Sequence, residues 1–381
     1  MNNPYDHLKY SYESRLKRKI TQWKWRALHI DPPLLALLLL LTTMGLFILF
    51  SASNGDIAMV IKQSLRLLLA FIVMLIFAQI PPKRYYQWAP WVFALGILLL
   101  FSLILFGRID KGAQRWLDLG LFNFQPSEIM KLAVPMLLAR YLDDKQLPPS
   151  WTILIITCLL FIPPVLLTAN QPDLGTAVLI AISGLAILLL AGLSWRLILS
   201  FCALGSLSMP IFWHFLHTYQ KERVLTFLNP DRDPLGSGYH IIQSKIAIGS
   251  GGLFGKGWLE GTQSHLQFLP AHATDFIFAV NGEELGWLGC ALLLAFFLGV
   301  FARCLFISSQ AQDTFSRLLA GSLSLIFIIS AFINIGMVAG ILPVVGIPLP
   351  LVSYGGSSLV TTLAGFGIIM SIHTHRKLWS S

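Results

Sequence analysis

A single carboxylate in an apolar stretch is the first group in this sequence that could do chemistry. Asp275 lies in the run Thr274-Asp275-Phe276-Ile277-Phe278, close to the start of a long apolar segment. Apolar surroundings raise the pKa of a carboxyl group, whereas a nearby Lys or Arg lowers it. With either shift, the position of Asp275 suits a general base that accepts a proton. The alternative is a helix N-cap, a position that Asp favours.

Two basic residues lie inside an apolar run. Lys62 and Arg66 are four residues apart and therefore share one face of a helix. Like charges inside a membrane are costly, so they need an anion. Within the protein, Asp173 and Glu128 are the nearest candidates. The other source is a ligand with a phosphate group, because Arg offers phosphate a bidentate fork and Lys a point charge.

Further acidic residues lie at the ends of apolar runs. Glu128 and Lys131 are three residues apart, a spacing that allows an ion pair joining helices or a polar wall of a binding pocket. Asp173 opens another run. Glu283 and Glu284 begin the eighth run, where attraction between acids and the helix dipole is a sufficient explanation.

Charge of any kind is scarce in the chain. Only 12% of the 381 residues are charged and 55% are hydrophobic, whereas soluble domains have about 25% charged residues. This composition excludes a soluble enzyme, a disordered chain and a nucleic-acid-binding protein, despite the net charge of +9. It predicts an integral membrane protein with several spans.

The apolar runs predict an all-α fold with about ten transmembrane helices. A span needs about 20 mostly apolar residues, and runs of continuous rather than alternating hydrophobicity exclude a β-barrel. The predicted spans are residues 33–52, 57–79, 88–107, 126–142, 151–169, 174–192, 197–217, 285–307, 318–340 and 353–372.

Basic residues predict the orientation of these spans. Lys and Arg are about twice as frequent in one set of connections as in the other, which predicts that this set and both termini are cytoplasmic. Residues 1–32 then form a basic cytoplasmic tail, 33–372 a single transmembrane domain and 373–381 a second cytoplasmic tail. One long extracytoplasmic loop, residues 218–284, separates spans seven and eight, and such loops are usually functional or disordered. The charges inside the membrane all fall in its outer half.

Two stretches of the long loop carry polar groups that could bind a ligand. Arg223 precedes a turn rich in Asp and Pro. Gln243, Ser244 and Lys245 precede a glycine-rich run with apolar residues, which could be a short helix that dips into the membrane.

Nine motifs together resemble the SEDS family (shape, elongation, division and sporulation), and within it the rod-shape members, with the division members as relatives. The motifs are QRW at 114–116, QPSEIMK at 125–131, QPDLGT at 171–176, RVLTF at 223–227, GYHIIQS at 238–244, TDFIF at 274–278, EELG at 283–286, GIPLP at 346–350 and VSYGGS at 352–357.

The resemblance implies a peptidoglycan glycosyltransferase of the bacterial cytoplasmic (inner) membrane. Family members polymerise lipid II on the outer face of that membrane and form β-1,4 bonds with inversion; the rod-shape members do so during cell elongation. The implied partners are a class B penicillin-binding protein, which is a transpeptidase, and other proteins of the elongation machinery, with no nucleic acid. Asp275 falls on the essential acidic residue of the family, and Glu128, Lys131 and Asp173 fall on further family positions.

The chemistry of this reaction assigns roles to the remaining residues. The leaving group is a pyrophosphate, so cations should stabilise its charge. A divalent cation, Mg²⁺ or Mn²⁺, could share that role. The expected substrate-binding residues are Lys62, Arg66, Arg115, Glu128, Lys131, Asp173, Arg223, Gln243, Ser244 and Lys245.

Two other functions remain open from the sequence. A lipid flippase or transporter would carry polar sites at the membrane midplane and on towards the inner side. A non-catalytic scaffold for a transpeptidase would tolerate substitution of Asp275.

Overall fold

A computed structural model describes residues 29–106, 108–110, 113–118, 123–215, 218–230, 237–265 and 271–376. Within these residues, long helices of 17 to 25 residues form the body of the protein. They are α1 (Pro32–Ala52), α2 (Ile57–Gln79), α3 (Pro82–Phe106), α4 (Pro126–Asp143), α5 (Trp151–Asn170), α6 (Leu174–Leu190), α7 (Trp195–Phe215), α12 (Gly286–Ser309), α13 (Thr314–Val338) and α14 (Ser357–Thr374).

Each of the ten predicted spans coincides with one of these helices, so the predicted fold class is confirmed. The third helix begins at Pro82, six residues before the predicted start, and the last begins at Ser357, four residues after it. Seven of the helices are long and apolar enough to cross a membrane; α6 is shorter, and α4 carries several charged residues.

Three short strands between α3 and α4 depart from a purely helical chain. They are β1 (Arg108–Asp110), β2 (Ala113–Asp118) and β3 (Asn123–Phe124), in an antiparallel sheet with the order β1-β2-β3. The predicted Arg115 lies on β2, but its side chain is outside the described part of the structure.

The predicted long loop, residues 218–284, contains four helices among its described residues. These are α8 (Thr218–Leu228), α9 (Ser237–Ser250), α10 (Thr262–His265) and α11 (Ile277–Glu284). The helix expected near the glycine-rich run is therefore present as α9. We call the end of the bundle that carries α8–α11 the loop end, and the opposite end, with His29 and Arg376, the tail end.

The core lies along α13, the best-buried of the candidate spans together with α14. Two thirds of its apolar window is buried, against 22% for α2 and α3. It packs against α4, α6 and α12, while α14 lies along α2. Gly367 permits that close approach, because a Cβ there would collide with the Met74 carbonyl oxygen. The opposite side of α2 exposes Leu65, Leu68 and Ile72, as expected of a face that contacts lipid.

The segment from Gly251 to His265 is anchored to α11 by a buried carboxylate. The Lys256 amine donates to Glu283 at 2.7 Å, and the Thr262 hydroxyl donates to the same carboxylate oxygen at 3.0 Å. Although burial opposes ionisation, hydrogen bonds led by that of Lys256 hold the pKa of Glu283 below its ordinary value. Ser51 donates to Glu284 at 2.6 Å. Both glutamates end α11, directly before α12. Beyond the predicted dipole role, Glu283 binds this segment and Glu284 binds α1.

Candidate active site

Asp275 lies in the turn before α11 at the loop end of the bundle, where three consecutive carbonyl groups are held in place. The Tyr354 amide donates to the Ala273 carbonyl oxygen at 2.9 Å, and the Ser353 hydroxyl to that of Thr274 at 2.5 Å. The Asn334 side-chain amide donates to the Asp275 carbonyl oxygen at 2.8 Å. Asp275 is half-buried, and the N-cap of α11 is Phe276, so the N-cap interpretation of Asp275 is wrong.

The Asp275 carboxylate faces the α13–α14 connection, which we define as residues 339–356. A Cβ on Gly346 would lie 3.7 Å from Asp275 Oδ2, and Gly346 has a φ of +78°. Asn334 also donates to the Ile347 carbonyl oxygen at 2.7 Å. The carboxylate and the connection are thus held beside each other by one amide group.

A cavity of about 70 Å³ lies next to this turn, between α4, α6, α13, α14 and the α13–α14 connection. Gly346, Ile347 and Pro348 form one wall, and Glu128 and Lys131 form part of another. Gly346 therefore borders both the cavity and the Asp275 carboxylate.

Glu128 and Lys131 form the ion pair that their spacing predicts. Lys131 Nζ lies 2.6 Å from Glu128 Oε2, and the Thr361 hydroxyl donates to the same oxygen at 2.7 Å. Both residues are buried: Glu128 is 4% exposed and Lys131 is 8% exposed. The two interpretations of this pair combine, since Glu128 is bonded to Thr361 of α14 and both residues of the pair line the cavity.

Arg66 reaches the α13–α14 connection from α2. The Arg66 guanidinium lies 4.5 Å from the centre of the Tyr354 ring, a cation–π contact. Between the two cations, buried Gln63 donates to the Ser353 carbonyl oxygen at 3.2 Å and accepts from the Gly355 amide at 3.3 Å. Lys62 is exposed.

The protein anions proposed for this cationic pair have other partners. Asp173 is the N-cap of α6; it accepts from the Thr176 amide at 3.3 Å and from the Gln125 side chain at 2.7 Å. Glu128 binds Lys131 and Thr361. Among the residues that the structure describes, no ion pair involves Lys62 or Arg66.

Two more cations contact the same connection from the helices of the predicted loop. Half-buried Arg223 on α8 donates to the Val345 carbonyl oxygen at 3.4 Å. Lys245 on α9 lies over Gly340, where a Cβ would be 2.8 Å from Nζ. The connection therefore meets a basic side chain near each end and another near its middle.

The other two predicted residues on α9 differ from these cations in their surroundings. Ser244 is fully buried and donates to the carbonyl oxygens of Ile241 and Val338 at 3.0 and 2.9 Å. These contacts give Ser244 a structural role at the end of α13. Gln243 is half-buried on the same helix.

Three uncharged polar residues of the site were missed by sequence reasoning. Gln63, Asn334 and Thr361 each bind a group at the cavity or beside Asp275. The sequence search weighed only ionisable residues inside apolar runs. Amides and hydroxyls in the same runs were the available signal, because polar side chains inside a membrane bundle usually bond another helix.

Comparisons with known proteins agree on one family. Residues 33–378 match the family model of FtsW, RodA and SpoVE, described as "Cell cycle protein". Peptidoglycan glycosyltransferase MrdB of Escherichia coli (strain K12) is 54% identical over 357 residues, which cover 93% of this chain and 96% of that protein. Peptidoglycan glycosyltransferase RodA of Treponema pallidum is 33% identical and covers 91% and 98%, respectively.

Solved structures show the same fold. A chain from the structure described as "Structural coordination of polymerization and crosslinking by a peptidoglycan synthase complex" is 34% identical, with a TM-score of 0.80 over 91% of this chain and 98% of that chain. The rod shape determining protein RodA of Thermus thermophilus is 28% identical, with a TM-score of 0.69 and the same coverage. The protein is thus a multi-pass membrane protein, and it belongs to the SEDS family of FtsW, RodA and SpoVE.

Proposed function

We propose that this protein is a peptidoglycan glycosyltransferase that polymerises lipid II into β-1,4-linked glycan strands during cell elongation. The main support is the position of the Asp275 carboxylate, beside a connection that borders a cavity and that three cations contact. One base close to several cations is what transfer from a pyrophosphate donor needs.

The base and the leaving group have separate positions in this proposal. Asp275 takes the proton from the 4-hydroxyl of the acceptor sugar as the oxygen attacks the anomeric carbon of the donor. The new glycosidic bond forms on the face opposite the breaking bond, and the pyrophosphate leaves with the bonding electron pair. The attack inverts the anomeric configuration.

In this proposal, cations on α2 receive the pyrophosphate. Arg66 is held over Tyr354 beside Gly356, and Lys62 lies one turn away on the same helix face. Lys131 lines the cavity, and Arg223 borders the connection. A cation that is fixed before the reaction stabilises the departing charge without reorganisation.

A divalent cation remains a prediction. In the described residues, no group of three or more His, Cys, Asp and Glu side chains could hold a metal ion. These residues do not fit a cage of protein ligands, so no step is assigned to a metal.

The proposed setting is the cytoplasmic (inner) membrane of a bacterium, with both termini in the cytoplasm. The loop end then faces the outer side, where the donor and acceptor would be used. A class B penicillin-binding protein is the proposed partner, together with other proteins of the elongation machinery. In support, the similar structure is described as a peptidoglycan synthase complex that coordinates polymerization and crosslinking.

Polymerisation by the purified protein tests this function. The protein is purified with its penicillin-binding partner, penicillin is added to block cross-linking, and lipid II is supplied. Glycan strands resolved on a gel are the expected product. A well-folded complex that makes no strands would contradict the proposal, and movement of labelled lipid II across vesicles would then separate a flippase from a scaffold.

A further inference from the structure

We propose that Asn334 is a positioning residue that holds the Asp275 base and the wall of the cavity in register. This inference rests on the proposed function of Asp275. Asn334 is fully buried in α13, in the interior of the bundle.

The contacts of Asn334 fix the orientation of its amide group. Its nitrogen donates to the carbonyl oxygens of Asp275 at 2.8 Å and Ile347 at 2.7 Å. Both partners are acceptors only, so the side chain must present its NH₂ group to them. The two bonds use both of its N–H groups, and among uncharged side chains only Asn and Gln offer two donors from one atom.

These bonds join two segments that are far apart in sequence. Asp275 lies in the turn before α11. Ile347 lies in the α13–α14 connection, next to Gly346; both residues line the cavity, and Gly346 lies beside the Asp275 carboxylate. Asn334 therefore fixes the distance between the base and the cavity wall from a helix that is itself buried on most sides. It touches main-chain atoms and acts on the reaction through Asp275.

Loss of this bridge should affect turnover more than substrate binding. The phosphate-facing cations Lys62 and Arg66 lie on α2 and do not contact Asn334, so the affinity for lipid II should persist. A shift of the base by about 1 Å costs on the order of 100-fold in rate. We expect kcat to fall by roughly 10- to 100-fold while KM for lipid II stays within about 3-fold.

The test compares initial rates at several lipid II concentrations for wild type, Asn334→Ala and Asn334→Leu in complex with the partner. Asn334→Leu keeps the size of the side chain and removes both N–H donors without burying a charge, so it remains informative if Asn334→Ala folds poorly. Rates are expressed per folded complex, measured by size exclusion.

Ser322→Ala is the matched control. Ser322 lies on the same helix, is fully buried and donates to the Ser183 carbonyl oxygen at 3.1 Å. It is not one of the residues that line the cavity. The control should retain kcat although it loses a bond between helices. A kcat in both Asn334 variants equal to that of Ser322→Ala, or a loss carried by KM, would overturn the inference.

Asp275→Asn, assayed in parallel, separates this inference from the proposed function. An inactive Asp275→Asn with normal Asn334 variants would refute the positioning role alone. A fully active Asp275→Asn would refute the proposed base, whatever the Asn334 variants do.

Discussion

The Asp275 carboxylate is held by contacts on its own main chain and on its two preceding residues. Carbonyl groups 273 to 275 each accept a hydrogen bond from α13 or from the α13–α14 connection. A buried hydrogen bond contributes about 1 kcal/mol net, so three of them on consecutive residues exceed thermal energy several-fold. The main chain around the base is thus preorganised by neutral groups.

The cations on α2 give the first prediction. Arg66→Ala should weaken lipid II binding and turnover together by about 10- to 100-fold, because a charge-assisted hydrogen bond is worth about 1.5–3 kcal/mol. Lys62→Ala should act in the same direction. Lipid II affinity and polymerisation rate are the measurements, and Arg84→Ala, an exposed cation at the tail end, is the control. Unchanged values in both α2 variants would assign these residues a structural role.

The buried ion pair gives a second prediction at this scale. Glu128→Gln leaves the Lys131 ammonium without its partner inside the bundle, and the loss of one partner of a buried pair costs about 3–5 kcal/mol. Lys131→Met leaves the carboxylate in the same position. Thermal unfolding in detergent should show both single variants to be less stable than the double variant. Additive losses in the double variant would show that the two charges do not depend on each other.

The α13–α14 connection is the element that assembles the site. It contacts α2 through Gln63 and Arg66, the Asp275 turn through Ser353 and Tyr354, and α8 through Val345. Sequence reasoning placed motifs in this segment without a position relative to Asp275. Hydrophobic periodicity locates helices, whereas contacts of an irregular segment depend on tertiary packing that no local pattern encodes.

The helices were predictable for a physical reason. A membrane span must be long, apolar and internally hydrogen-bonded, so all ten predicted spans are present as helices. The Glu128–Lys131 pair was predictable from its spacing on one helix. The contacts of Glu283 with Lys256 and of Asp275 with Asn334 were not, because they join residues that are 27 and 59 positions apart.

Docking of the segment after α9 against α11 gives the element-scale prediction. Gly255 has a φ of +82°, and a Cβ there would collide with the Glu284 carbonyl oxygen. Gly255→Ala should therefore lower stability by about 1–3 kcal/mol and expose the segment to protease. Gly249→Ala is the control, since nothing lies within 4 Å of its Cβ position. Equal protease resistance in the two variants would contradict the close packing.

At the scale of the whole molecule, the two ends of the bundle are stabilised differently. The loop end carries the candidate site. At the tail end, Asp31 links three helices. It accepts hydrogen bonds from the Leu34 amide of α1 at 2.9 Å and from Arg303 of α12 at 2.7 Å. It also lies 2.9 Å from His373 of α14. One buried carboxylate therefore joins three helices far from the proposed chemistry.

This junction predicts a pH dependence of stability. Although burial opposes ionisation, hydrogen bonds from His373 and Arg303 hold the pKa of Asp31 well below its usual range. A lowered folded-state pKa stabilises the protein above the unfolded-state value of about 3.9, and this stabilisation is lost as the pH falls below it. Asp31→Asn keeps a side chain that can cap α1 and removes the charge.

Melting temperatures across pH test this dependence. The destabilisation of Asp31→Asn relative to wild type should be present at about pH 5 and shrink as the pH falls below about 4. Asp56→Asn, the exposed N-cap of α2, should show no comparable difference. If the difference in melting temperature between wild type and Asp31→Asn does not become smaller in acid, the role of the ionised carboxylate is contradicted.

The central claim is that Asp275 removes the proton from the acceptor hydroxyl, and polymerisation by Asp275→Asn tests it most directly. Asn keeps the shape of the side chain but cannot act as the base. The lipid II polymerisation rate of the complex should fall by about 100- to 10,000-fold, while lipid II binding persists and Asp56→Asn keeps the wild-type rate. A wild-type rate in a folded Asp275→Asn complex would contradict the account.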